Sequence, residues 1–193
     1  MIKASELLLL DADDSSTMNK DNAPDPTAWA IHSAMHRQVP HARCVLHVHS
    51  IYATILSTLK DKTLPPIDQN TCRFYNRVAI DDGFGGMGLG DEAERLPTVL
   101  KNKPILMMGS HGIMVTAPSI ALAFDELYYF ERSCETYIKA LMTGKELDIL
   151  SHDIAQLTMQ QWLDYNSNGH KYANKLLDEC KQILNKEEPD YIN

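Results

Sequence analysis

The stretch RCVLHVHSIY, residues 43–52, places His47 and His49 two positions apart in an otherwise apolar, strand-like run. On a strand, residues i and i+2 point to the same side, about 6.5–7 Å apart at Cα. The two imidazoles therefore face one way, and Leu46 and Val48 face the other. Two neutral imidazoles so placed can converge on one divalent metal, with bonds of about 2.0–2.1 Å if the metal is zinc. Each ring must then be oriented through its second nitrogen by a hydrogen-bond acceptor. The pair alone is also compatible with two half-exposed surface histidines.

A third histidine alters that balance. His111 lies in GSHG, between two strand-like runs, where flanking glycines suit a tight turn that displays one side chain. Three imidazoles with a fourth position open to water or substrate make a catalytic type of metal site. The other five histidines fit this chemistry less well. His32 and His36 are four apart on a helical pattern, but no HExxH glutamate lies between them, so they read as helix-face residues. His41, His152 and His170 fall in loops or at helix edges. The four cysteines, Cys44, Cys72, Cys134 and Cys180, form no CxxC pair and read as reduced and structural.

The elements that must hold these residues alternate between strand and helix. Glu6–Leu10 reads as an opening strand, followed by a polar loop rich in Asp, Ser, Asn and Pro. Asp25-Pro26-Thr27 starts a helix carrying Ile31, Ala34, Met35 and Val39, stopped by Pro40. The strand Cys44–His49 follows, then a short helix near Tyr52–Leu59 and a loop barred from regular structure by Pro65-Pro66. Val78–Ile80 leads into DDGFGGMGLGDEAERL, with five glycines between Gly83 and Gly90. These lack the GxxxxGK[ST] spacing of a phosphate loop, so the stretch reads as a flexible loop before a helix with Asp91 and Glu92 in its first turn. Pro104–Met108 and Ile113–Val115 are two strands joined at GSHG. A long helix spans Pro118–Leu141, and amphipathic helices near 153–165 and 170–185 end the chain. No repeat or linker divides residues 1–193, which read as one α/β domain with C-terminal helices from about residue 150.

Composition narrows the function. The chain is 44% hydrophobic with a net charge of −8, which disfavours a nucleic-acid groove built from clustered cations. No apolar run reaches the ~18–20 residues of a membrane span, and ELLLLDAD lacks the flanks of a signal peptide. A cytoplasmic protein acting on a small molecule is the expectation.

The segments DPTAWAIHSAMHRQVPHARCVLHVHS, LPPIDQ, MGSHGIMV and ALAFDELYYFERSCETYIKAL, in that order from about Ala4 to Leu141, resemble the class II aldolase/adducin family. The resemblance implies a three-layer α/β/α fold with a largely antiparallel central sheet. It implies a divalent metal, usually zinc, on His47, His49 and His111, and homotetramers with active sites at subunit interfaces.

Two departures are informative. The family aldolases carry a glutamate, as metal ligand or acid/base, where this chain has Ala28, whose methyl group can do neither. A tyrosine acid of some aldolases aligns with Gln69, which can hydrogen-bond an oxyanion but cannot give up a proton near neutrality. The family's leading helix and anion-binding loop also precede the segment at which this chain starts, so the fold is expected to be short at its N-terminus and unsuited to sugar phosphates. These features place the chain nearer the adducin-like branch. The expectation is a lyase acting on a small oxo-acid or hydroxy-carbonyl compound; the alternative is a non-catalytic metal-binding scaffold or assembly module. Glu131, Tyr75, Asp82 and Glu92 are the candidates for proton transfer or support of the metal ligands, and Glu131 reads equally as a buried helix residue holding a histidine. An opening strand and amphipathic end helices predict a homo-oligomer, and the resemblance implies four copies rather than two.

Overall fold

The computed structural model describes residues 2–167 and 169–193. Its helices are α1 (Pro26–Gln38), α2 (Ile51–Thr58), α3 (Gln69–Cys72), α4 (Asp91–Leu100), α5 (Ile120–Met142), α6 (His152–Ser167) and α7 (Lys171–Glu187). Four strands, β1 (Cys44–Val48), β2 (Val78–Asp81), β3 (Ile105–Met108) and β4 (Gly112–Ala117), form one sheet in the order β1-β4-β3-β2. β4 runs antiparallel to both β1 and β3, whereas β2 and β3 are parallel. The sheet is thus mixed rather than purely antiparallel. Its parallel pair needs a crossover, and α4 supplies it.

Burial on both faces produces the three layers. Along β3 the alternation sends Ile105 and Met107 into one core with Ala53 and Leu56 of α2 and Phe130 and Cys134 of α5. Leu106 and Met108 enter the other, with Ile31 and Met35 of α1 and Leu96 and Leu100 of α4. A strand covered on both faces reads as an unbroken apolar run, which is why ILMM carries no polar alternation. Val45 belongs to the α1/α4 core, so His47, two residues on, points to that face as well.

Local signals set several helix ends. The Asp25 carboxylate accepts from the amides of Thr27 (2.9 Å) and Ala28 (3.0 Å), and Pro26 takes the first turn of α1, where no N–H is needed. Ser119 caps α5 through Leu122 N. Beyond α5 the chain turns back, packing α6 against α3 and α7 against α5.

The opening strand is not formed. Ala4–Glu6 makes a 3₁₀ turn, and residues 7–10 run alongside α1 without joining the sheet. Leu7 and Leu9 are exposed to 73% and 100%. Strand-forming residues make a strand only where a partner ladder exists, and nothing among the described residues pairs with this run. The loop after Pro65-Pro66 holds a short helix, α3, closed by reciprocal hydrogen bonds between Asp68 and Thr71. No helix among the described residues is long and apolar enough to cross a membrane.

Candidate functional site

His47, His49 and His111 meet at one end of the sheet. Their ring centroids stand 5.1, 4.9 and 4.8 Å apart, and one ligand atom from each lies within 4.8 Å of the others. β1 delivers His47 and releases the chain one residue before His49, so the second imidazole stands at the corner leading into α2. His111 comes from the three-residue hairpin between β3 and β4.

That hairpin is stapled on three sides. Gly109 N donates to Asp81 O (2.7 Å), Ser110 N to Ser57 O (2.9 Å) and His111 N to Met108 O (3.1 Å). The positive φ falls on Ser110 (56°), not on a glycine. The glycines serve close approach instead. A Cβ on Gly112 would lie 2.6 Å from Val48 O and 2.7 Å from His49 Cδ2, so β4 reaches β1 beside His49 only without a side chain there.

The corner at His49 is held from α5. The Glu131 carboxylate accepts from Ser50 Oγ (2.7 Å), Tyr52 N (2.8 Å) and Ala53 N (2.9 Å), which places a negative charge on the otherwise uncapped N-terminus of α2. Glu131 therefore holds the helix that begins after His49. It does not hold an imidazole.

Burial favours the neutral form of His47 and of His111. His47 Nδ1 lies 3.0 Å from the carbonyl oxygen of Ile113; a carbonyl only accepts, so Nδ1 carries the proton and Nε2 keeps its lone pair. Burial pushes the His47 pKa down to about 4, against the pull of that carbonyl; the His111, His49 and His32 imidazoles add to the lowering. Burial, followed by His49, also lowers His111, while Glu92 opposes it. His111 Nδ1 is buried with no hydrogen-bond partner. Three imidazoles within reach of one another, His47 and His111 half-buried and His49 exposed, form a donor set that fits a divalent metal.

The glycine-rich segment lies over this end of the sheet. The Phe84 ring centroid is 6.3 Å from that of His111, and a Cβ on Gly88 would touch both Ile31 and His111. Buried Glu92 braces the loop from inside, accepting from Gly85 N (3.3 Å) and Gly88 N (3.1 Å). Of the residues considered for support, Glu92 is thus the one that faces the imidazoles. Asp82 is exposed and pairs with Lys62 (2.9 Å).

Two expected participants lie elsewhere. Tyr75 precedes β2 by three residues, beyond the sheet end opposite the histidines, and its hydroxyl meets His152 Nδ1 at 2.9 Å. Gln69 opens α3, and its carbonyl accepts from Trp162 Nε1 of α6 (3.0 Å). In each case a position counted along the chain did not carry over, because the loop after α2 folds toward α6 rather than back to the imidazoles. His32, read as a plain helix-face residue, instead faces His47 closely enough to lower its pKa. It also lines, with Ala28, Trp29 and Leu8, a cavity of about 340 Å³. The signal available in the sequence was its position one turn after Ala28 on the same face of α1.

Comparison with known proteins identifies the family and the fold. The family model described as class II Aldolase and Adducin N-terminal domain matches residues 1–138. Decarboxylase NovR of Streptomyces niveus is 26% identical over 161 residues, covering 83% of this chain and 59% of that protein. The 4-hydroxy-3-prenylphenylpyruvate oxygenase/4-hydroxy-3-prenylbenzoate synthase of Streptomyces roseochromogenus subsp. oscitans is also 26% identical, over 83% of this chain and 57% of its own length. The chain therefore spans less than two thirds of either relative. The crystal structure of an aldolase II superfamily protein from Pseudomonas syringae matches with a TM-score of 0.85 and 28% identity, over 98% of this chain and 75% of that one.

Proposed function

The chain belongs to the class II aldolase and adducin family, and within it we propose a metal-dependent carbon–carbon lyase of aldolase or decarboxylase type. Its substrate is a small oxo-acid or hydroxy-carbonyl compound. The observation that carries the proposal is the convergence of three imidazoles, two from the end of β1 and one from the β3–β4 hairpin, at one end of the sheet. His47, His49 and His111 would hold the metal, which we take to be zinc. Bound there, the metal supplies the positive charge that polarises a carbonyl or carboxylate oxygen and stabilises an enolate.

The chain's own residues prepare that chemistry. The Ile113 carbonyl fixes the His47 tautomer so that Nε2 faces the site. Glu131 and Ser50 set the corner from which His49 projects. Phe84 and the loop around it limit water on one side. Breaking the bond to a carboxylate or aldehyde carbon leaves an electron pair on the enolate, which is quenched by a proton. Ala28 cannot deliver that proton, so it comes from solvent or from His32 on the same helix face. The two relatives support a decarboxylase or an oxo-acid enzyme over a sugar-phosphate aldolase, since one is named a decarboxylase and the other after a phenylpyruvate.

The methyl group at Ala28 favours one second reading, a metal-binding scaffold without turnover, as in an adducin-like assembly module. A panel of oxo-acids offered to the zinc-loaded protein separates the two. Release of carbon dioxide or of an aldehyde supports the lyase; stoichiometric metal with no turnover on any member supports the scaffold.

Residues 1–193 are proposed as one domain that assembles as a homo-oligomer, four copies favoured over two. Exposed Leu7, Leu9, Ile120 and Met142, together with the unpaired outer edge of β1 among the described residues, supply apolar and edge surface for such contacts.

A further inference from the structure

A divalent cation on His47, His49 and His111 would meet three ligands that bring no negative charge, and no carboxylate joins their ligand atoms among the described residues. Its charge must be balanced from further out. Glu92, in the first turn of α4, is only 7% exposed, and no lysine or arginine among the described residues pairs with it. Arg95 gives its guanidinium to Asp81 (3.0 and 2.8 Å) and to Gly83 O (2.6 Å), and Lys62 pairs with Asp82. The Glu92 carboxylate accepts instead from two backbone amides, Gly85 N (3.3 Å) and Gly88 N (3.1 Å). A buried anion with long, neutral partners is costly unless a positive charge lies near. The side on which Glu92 lies offers a place for one. Gly88 stands between it and the histidines: its amide donates to the carboxylate, while a Cβ on it would lie 3.8 Å from His111 Cε1. The Glu92 charge acts on the His111 ring, favouring its positive form against burial.

We infer that Glu92 is the counter-charge of the metal site, a carboxylate that raises the affinity of the three imidazoles for a divalent cation from behind the Gly88 backbone without ligating it. The inference rests on the metal-binding part of the reading above. The same carboxylate also braces the loop, since two amides need two acceptor oxygens. Bracing depends on the reach of the side chain, whereas a counter-charge depends on its sign. Shortening the side chain by one methylene breaks hydrogen bonds but changes a charge–charge attraction little, because that attraction falls only with the first power of distance.

Zinc affinity of the untagged full chain, measured by competition with a chromophoric chelator, tests this with Glu92→Gln and Glu92→Asp. Glu92→Gln is expected to weaken zinc about tenfold or more, and Glu92→Asp to stay within about threefold of the parent. The urea midpoint of metal-free Glu92→Gln should equal or exceed the parent's, because a buried charge without a cation has been removed. Added zinc should raise that midpoint less than it raises the parent's. If Glu92→Asp loses as much zinc affinity as Glu92→Gln, or if metal-free Glu92→Gln unfolds at clearly lower urea, the carboxylate serves the loop and the inference is overturned. It is overturned as well if Glu92→Gln binds zinc as tightly as the parent, and the three-imidazole site then stands without it. If the parent itself takes up no zinc, the metal reading falls, and the counter-charge with it.

Discussion

Two polar constellations sit at different places in this molecule and are built on opposite rules. Near α6, the guanidinium of Arg73 is fully buried, paired with Asp125 and with Glu126 (3.3 Å), and Glu126 is shared with Arg77 (2.9 Å). Phe74, Tyr129 and Trp162 surround that guanidinium at 4.9–5.6 Å from their ring centroids. Two cations face two carboxylates, and the charge closes on itself. At the sheet end, three imidazoles stand together with no carboxylate bound to any of them and one ring nitrogen buried without a partner, and the His47 and His111 pKa values are lowered by burial rather than raised by an ion pair. Around Arg73 opposite charges are paired within the fold, although Arg73 Nε and Glu126 Oε2 also lack hydrogen-bond partners, whereas at the imidazoles the chain supplies no opposite charge in contact.

That contrast predicts different responses to mutation. Arg73→Ala leaves two buried carboxylates short of a cation and removes the centre of the aromatic cage. It should cost about 3–5 kcal/mol of stability, measured by urea unfolding, with no selective loss of metal affinity in the fraction that remains folded. A loss under ~1 kcal/mol would mean that the network is no more than surface decoration.

Gly112→Ala should come next, at about 1–3 kcal/mol, because the new methyl meets Val48 O and His49 Cδ2 inside contact distance. Unlike the arginine change, it should also weaken metal binding, since His49 must shift. Undisturbed metal affinity in a destabilised variant would show that the close approach of β4 to β1 does not position that imidazole.

How much of this was legible follows from range. The pairing of His47 with His49 needs only the two-residue period of a strand, and the helix α5 only its apolar spacing, so both could be read from neighbours in the chain. His111 was legible because a glycine-flanked hairpin turn displays its side chains. The run at Glu6–Leu10 misled because four leucines look like a strand, whereas a strand depends on a partner that local sequence does not contain. Gln69 and Tyr75 misled for a related reason: where the chain goes after Pro65-Pro66 is decided by Trp162 and His152, more than seventy residues away. Glu131 lies on α5 as its spacing suggests, but it accepts from Ser50 Oγ and the backbone amides of Tyr52 and Ala53 rather than from an imidazole, and those amides have no signature in the side-chain sequence. His32 facing His47 likewise needed the packing of α1 on the sheet.

Acid provides a smaller and more specific test. The His47 pKa is lower in the folded chain (about 4) than the usual value near 6.5, so the unfolded chain binds the extra proton between those limits. Stability of the metal-free protein should be complete above about pH 6.5 and decline as pH falls toward 4. The loss expected from this group is on the order of 1–2 kcal/mol, allowing for its partial exposure. His47→Gln should flatten the slope across that window. An unchanged slope would mean that other groups set the acid response.

The central claim is that three imidazoles, one of them from the GSHG hairpin, form a single metal site. Elemental analysis of untagged protein, compared with His111→Ala prepared identically, tests it most directly. The account predicts close to one divalent metal per chain in the parent and a loss of most of it in the variant, because three neutral ligands leave no redundancy. Full stoichiometric metal in folded His111→Ala would contradict it.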